Sequence, residues 1–184
     1  MNSWLRLVIK GSLQAANIQV NTHARIIRQD LRGAILCRAG KHAEAIAELD
    51  GLIAGSSKGS DRQRAAMLAK AESLAGMKKF AEAETLVRQV IQANPAEDAA
   101  AQAPAYNTLG DCLRAANRLT EALIAYLHTD LLYSKDKEEH PRALHAIEAL
   151  FRQLKQEARA DEFAQRLKQE YPRSAWARAS TGPR

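Results

Sequence analysis

The strongest constraint on this chain is a repeat. Ala45, Ala83, Ala122 and Ala160 stand 38, 39 and 38 residues apart, each in a similar setting. Those settings read Lys41-His-Ala-Glu-Ala45, Lys79-Phe-Ala-Glu-Ala83, Arg118-Leu-Thr-Glu-Ala122 and Gln156-Glu-Ala-Arg-Ala160. Four further columns keep the register. Twelve residues before each alanine come Gly33, Ala71, Gly110 and Glu148. Then come Leu36, Leu74, Leu113 and Phe151; four residues after each alanine, Leu49, Val87, Tyr126 and Ala164; and last Leu52, Val90, Thr129 and Leu167. A period of this length marks a stack of supersecondary units, each unable to bury its apolar stripe alone. Within a unit the apolar positions fall three and four apart, the spacing of one helix face. A small residue on one helix and an alanine on the next let two helices cross closely.

These columns resemble the tetratricopeptide repeat. Unit three carries most of the likeness, through Tyr106, Leu109, Gly110, Leu113, Asn117, Ala122 and Tyr126. Unit four matches through Leu144, Ile147, Phe151, Ala160, Leu167 and Pro172, but has Glu148 where a small residue is expected. Units one and two place Arg32 and Lys70 at a usual apolar position. The resemblance runs from Thr22 to Trp176. It implies an all-α fold, a right-handed superhelix of antiparallel helix hairpins, or α-solenoid. The fixed spacing of twelve keeps the hairpin intact, so the residues beyond the family's usual period, about 34, belong between units. Those linkers, 55–61, 94–98 and 134–141, carry turn and cap signals. Ser60 or Asp61 precedes a helix, Asn94-Pro95 stops one, and Pro141 sits at a first helical position. Pro104 is expected to start or kink the first helix of unit three.

Residues 1–21 read as an N-terminal cap or remnant of a larger protein, 22–176 as the repeat domain, and 177–184 as a flexible tail. Tyr171-Pro-Arg-Ser174 is similar to the endings of bacterial envelope tetratricopeptide proteins. The sequence leaves the compartment unknown between two options: cytoplasmic, or the bacterial envelope if a leader lies outside this chain. No run approaches the roughly 20 apolar residues that span a bilayer. Cys37 and Cys112 show no CxxC spacing and read as small core residues.

No nucleophile elbow, zincin motif, P-loop or dinucleotide fingerprint is present. His23, His42, His128, His140 and His145 form no i,i+4 pair with one another and read as lone packing or surface residues. Asp136, Glu138 and Glu139 read as a solvated linker. The expectation is a non-enzymatic scaffold without cofactor or metal. In the resembled family the first helices line a concave groove. The register then points Asp30, Cys37 and Arg38 of unit one inward, with Glu72 of unit two. Unit three adds Asn107, Asp111 and Arg114, and unit four Arg142, His145 and Arg152. The second half is rich in Arg and His, which suits an acidic peptide or carboxylate.

The net charge of +6 is concentrated at the two ends of the chain. Residues 1–41 hold seven Lys or Arg and one acid; residues 151–184 hold eight and four. The alternative function is thus binding of nucleic acid or an anionic surface through those ends. Nucleic acid is the less favoured, because few aromatics are available to stack on bases.

Overall fold

The computed structural model describes residues 32, 33 and 35–180 of the chain. Arg32, Gly33 and residues 35–38 are helical, the end of the first helix of unit one. They lead to α1 (His42–Gly55), which completes that unit. Unit two is α2 (Asp61–Gly76) and α3 (Phe80–Ala93), and unit three α4 (Ala99–Ala115) and α5 (Leu119–Leu132). Unit four is α6 (Glu139–Gln153) and α7 (Glu157–Glu170), followed by a short α8 (Ala175–Ala179). The segment 1–21 and Asp30 lie outside the described residues.

The four hairpins turn identically, for a reason the repeat columns only partly expose. The N–H groups of Lys41, Lys79, Arg118 and Gln156 donate to the carbonyls of Leu36, Leu74, Leu113 and Phe151, at 2.9–3.0 Å. One residue earlier, Gly40, Lys78, Asn117 and Lys155 donate to Cys37, Ala75, Arg114 and Arg152. This is the Schellman arrangement, which satisfies the last carbonyls of a helix and needs a left-handed residue at its apex. Those apex residues have φ of 72°, 63°, 60° and 58°. Glycine and asparagine accept that conformation readily; the two lysines hold it at a cost.

Each hairpin is closed by its alanine. Ala45, Ala83, Ala122 and Ala160 are fully buried. Across the crossing, the small-residue column faces the column four residues after the alanine, and the two vary together in size. A Cβ on Gly33 would lie 3.0 Å from the Leu49 side chain, and one on Gly110 only 2.5 Å from the Tyr126 ring. Unit two uses the pair Ala71 and Val87, both with no exposed surface. Unit four inverts the sizes: Glu148 is large and its counterpart, Ala164, is small. The expected small residue at 148 is therefore unnecessary. The buried Glu148 carboxylate accepts from Ser180 Oγ at 2.6 Å and Arg152 Nε at 3.3 Å, so its charge has partners.

The linkers cap the first helices. Ser60 Oγ accepts from the Gln63 N–H and Asp98 from the Ala101 N–H. Asp136 accepts from the N–H groups of Glu138 and Glu139 ahead of α6. Two proline expectations shift. Pro141 is the third residue of α6, still within the turn whose N–H groups lack helical partners. Pro104 lies inside α4, which begins five residues earlier at Ala99 and runs on through it. The carbonyl it leaves without a donor belongs to Ala100, which faces solvent. Arg32 and Lys70, at usual apolar positions, reach outward to Glu48 at 3.2 Å and Asp50 at 2.5 Å.

Consecutive helices pack throughout, and α2 also packs on α4, and α4 on α6. Among the described residues, successive second helices meet through long side chains, Arg118 to Glu84 and Arg166 to Asp130. A layer whose members touch, backed by one whose members stand apart, puts the first helices on the inner side of the curve. The last unit ends in α8, capped by Ser174 and packed on α6 and α7. Ala177 is buried there with Leu144 and Leu167. Of the expected tail, residues 177–180 are held by Ala177 and by the Ser180–Glu148 bond, and 181–184 lie outside the described residues. A short terminal helix of this kind covers apolar surface that the last hairpin would otherwise leave open.

Candidate functional site

The inner layer forms a groove of about 490 Å³ between α2, α4, α6 and α8. Its floor is made of small residues: Ala75 and Gly76 from α2, Cys112 and Ala115 from α4, Ala146 and Ala149 from α6. Small side chains at these positions leave a channel between helices that touch beneath it. Trp176 closes one end, 37% exposed, its ring 5.4 Å from that of His145.

Of the residues expected to face inward, Glu72, Asp111, Arg114, Arg142 and His145 line this groove. Asn107 lies beneath it, fully buried, with Nδ2 donating to the Glu139 carbonyl at 2.9 Å and the Glu139 carboxylate at 2.7 Å. Cys37 is half-buried against Ser73, 2.8 Å from its Oγ, and Arg38 is exposed; neither lines the groove. Arg152 turns the other way. Its guanidinium donates to Glu148, to Glu157 at 2.8 Å and to Asp161 at 2.9 Å, so it fastens α6 to α7.

The expected surplus of positive charge is compensated in the same place. Arg142 reaches Asp111 at 2.5 Å, Glu72 at 3.3 Å and Glu139 at 3.3 Å. Asp111 also accepts from the Tyr126 hydroxyl at 2.6 Å and lies 3.5 Å from Arg114. Three carboxylates thus meet two guanidiniums in one belt joining α2, α4, α5 and α6. Glu139, placed in a solvated linker by the sequence reading, is a helix residue and a member of that belt. Burial raises the pKa of Glu72, opposed by Arg142 and reinforced by Asp111. Burial works against the charged form of Arg142, but Asp111, Glu139 and Glu72 outweigh it and raise its pKa. Burial, then Asp111, raises the Tyr126 phenol, which stays a hydrogen-bond donor. Arg114, its side chain 46% exposed, is the groove cation most open to a ligand.

A second polar cluster lies behind the inner layer. His140 Nε2 is 2.9 Å from Asp130 and Nδ1 is 2.7 Å from the Tyr171 hydroxyl, while Arg166 donates twice to Asp130, at 2.8 and 3.2 Å. Its members include the triad types His, Asp and Tyr. Yet His140 is 1% exposed, and it ties α5, α6 and the end of α7 together. His140 is a packing histidine, as its lone place in the sequence suggests. No group of three or more His, Cys, Asp or Glu among the described residues could hold a metal ion. Of the basic C-terminal residues, Arg152 and Arg166 are engaged with acids and Arg159 covers the Phe151 ring.

Compared with known proteins, the chain is similar in structure to a Podosopora anserina protein described as a kinesin light chain with nearly identical TPR-like repeats. The TM-score is 0.62 at 17% identity, covering 85% of this chain and 82% of that one. The fold is a tetratricopeptide-type α-solenoid. Neither a protein-family model nor a curated sequence matches the chain. The period of 38 or 39 agrees with that outcome, since residues inserted between hairpins leave the packing intact while shifting the sequence register. No described helix is long and apolar enough to cross a membrane.

Proposed function

We propose that the chain is a non-enzymatic interaction scaffold that holds an extended segment of a protein partner in the groove between α2, α4, α6 and α8. The carrying observation is the groove itself: a small-residue floor along three successive first helices, with a tryptophan at one end and a polar belt along its side. Tetratricopeptide-type solenoids offer such inner surfaces to protein partners. The compensation of Arg142 narrows the ligand. A strongly acidic peptide would meet three carboxylates, so the fitting segment is mixed: an apolar side chain for the floor and Trp176, with one carboxylate for Arg114.

A displayed peptide library selected on the whole chain tests this. In a Trp4→Phe background the emission of Trp176 reports occupancy. Selected peptides should shift that emission, lose at least about tenfold in affinity on Ala149→Trp, which fills the floor, and weaken on Arg114→Glu. Peptides that bind Ala149→Trp as tightly and leave Trp176 unchanged would refute the groove as the site.

A further inference from the structure

The four units are a built-in control on one another, and one position set breaks the pattern. The outward positions of α3 are Thr85, Gln89, Gln92 and Ala93, and those of α7 are Glu162, Arg166, Gln169 and Glu170. The corresponding positions of α5 are Ile124, His128, Leu131 and Leu132. The repeat therefore does not require apolar residues there. Ile124, Leu131 and Leu132 are 52%, 73% and 65% exposed, half of the six large exposed apolar residues among the described ones. Together they present on the order of 300 Å² of apolar surface, the scale of the largest patch on a typical monomer, which is often functional.

The face is also firm. His128 Nδ1 donates to the Ile124 carbonyl at 3.0 Å, and its ring stacks on Tyr106 at 4.6 Å and 9°, with Tyr133 beyond. Firm aromatic platforms ringed by aliphatic groups lose little freedom when covered.

The order of residues says what covers it. About His128 two pairs of positions match under reversal: Ile124 and Leu132 stand four residues to either side, and Glu121 and Lys135 seven to either side. Both charged residues are exposed; Glu121 also accepts from Arg118 with its side chain still 51% exposed, and Lys135 stands in the turn three residues beyond the end of α5. We infer that a second copy of this chain packs its α5 antiparallel on this face, about a twofold axis at His128. Ile124 of one copy then lies between Leu131 and Leu132 of the other, and Glu121 meets Lys135 at each end. Such isologous pairing uses one patch twice and closes, as soluble dimers commonly do. The surface lies on the outer layer, so pairing leaves the groove open.

Sedimentation velocity of the full chain, from micromolar to hundreds of micromolar, tests this. A reversible dimer is expected. Leu131→Glu with Leu132→Glu should raise its dissociation constant at least about 30-fold, while an unchanged helical spectrum shows that the fold is kept. Glu121→Lys and Lys135→Glu should each weaken the dimer by up to about fivefold, and the pair together should restore it. A chain monomeric throughout overturns the inference and leaves the face to a different protein. So does a dimer indifferent to the leucine changes, or one that the double charge reversal fails to restore.

Discussion

Replacing Gly110 by alanine in the middle of α4 would ordinarily stabilise the helix by about 1 kcal/mol. Here the expectation has the opposite sign. The added Cβ would lie 2.5, 2.6 and 2.8 Å from three atoms of the Tyr126 ring. The ring cannot give way easily, because it is fully buried and its hydroxyl is tied to Asp111 at 2.6 Å. Overpacking of this kind costs roughly 1–3 kcal/mol, and the rigid target places it near the upper end. After the helix gain is subtracted, the net loss is about 1–2 kcal/mol, roughly 3–6 °C in Tm for a domain of this size. Tyr126→Val alone should cost about 3–4 kcal/mol, from the emptied ring volume and the lost Asp111 bond. The double variant recreates the Ala71–Val87 pair of unit two. Because the clash is then gone and the helix gain returns, the double should be at least as stable as Tyr126→Val by itself, a coupling of about 2 kcal/mol. Urea unfolding followed by far-UV circular dichroism measures all three. Gly110→Ala stabilising by itself, or costs that simply add in the double variant, would refute the size complementarity argued for the hairpin crossing.

Three further outcomes follow from the same structure. Lys78→Gly relieves a left-handed lysine at the unit-two turn and should stabilise by about 0.5–1 kcal/mol in urea, after allowing for the freer unfolded chain; a loss of stability would count against the shared turn. Asp130 titrates below its usual range, because hydrogen bonds from His140 and Arg166 outweigh the opposing effect of burial. Its stabilisation is therefore present above about pH 4 and lost as pH falls through the lowered value, and Asp130→Asn should remove that part of the acid dependence of unfolding. Cys112 is 2% exposed, and burial, then Asp111 and Glu72, push its thiol up to about 12. It should resist thiol reagents in the native protein and react when urea opens α4; prompt labelling under native conditions would contradict its buried place.

Much of the fold could be read from the sequence because it rests on columns that repeat. Ala45, Ala83, Ala122 and Ala160 mark hairpin crossings wherever they occur, and their spacing orders the helices. The turn column 40, 78, 117 and 155 is not visible as a residue pattern, because its requirement is a backbone angle, met here by Gly, Lys, Asn and Lys. Glu148 departs from the small-residue column because size at a crossing is a property of two positions, and Ala164 leaves the room. The groove was half legible. Register alone points Glu72, Asp111, Arg114, Arg142 and His145 inward, but it cannot say which charges find partners. Arg142 meets Glu72 from 70 residues away, and Glu139 sits in a stretch whose composition reads as linker. Arg152 obeys the register yet follows nearby Glu157 and Asp161. The α8 helix carried a readable signal, Ser174 as a cap before an apolar stretch, while the place of Trp176 in the groove depends on packing.

Hydrogen–deuterium exchange of the whole chain, with and without a saturating selected peptide, tests the groove assignment most directly. Protection is predicted in α2, α4, α6 and around Trp176, with α3, α5 and α7 unchanged. Protection confined to the outer helices, with α4 and α6 unaltered, would contradict it.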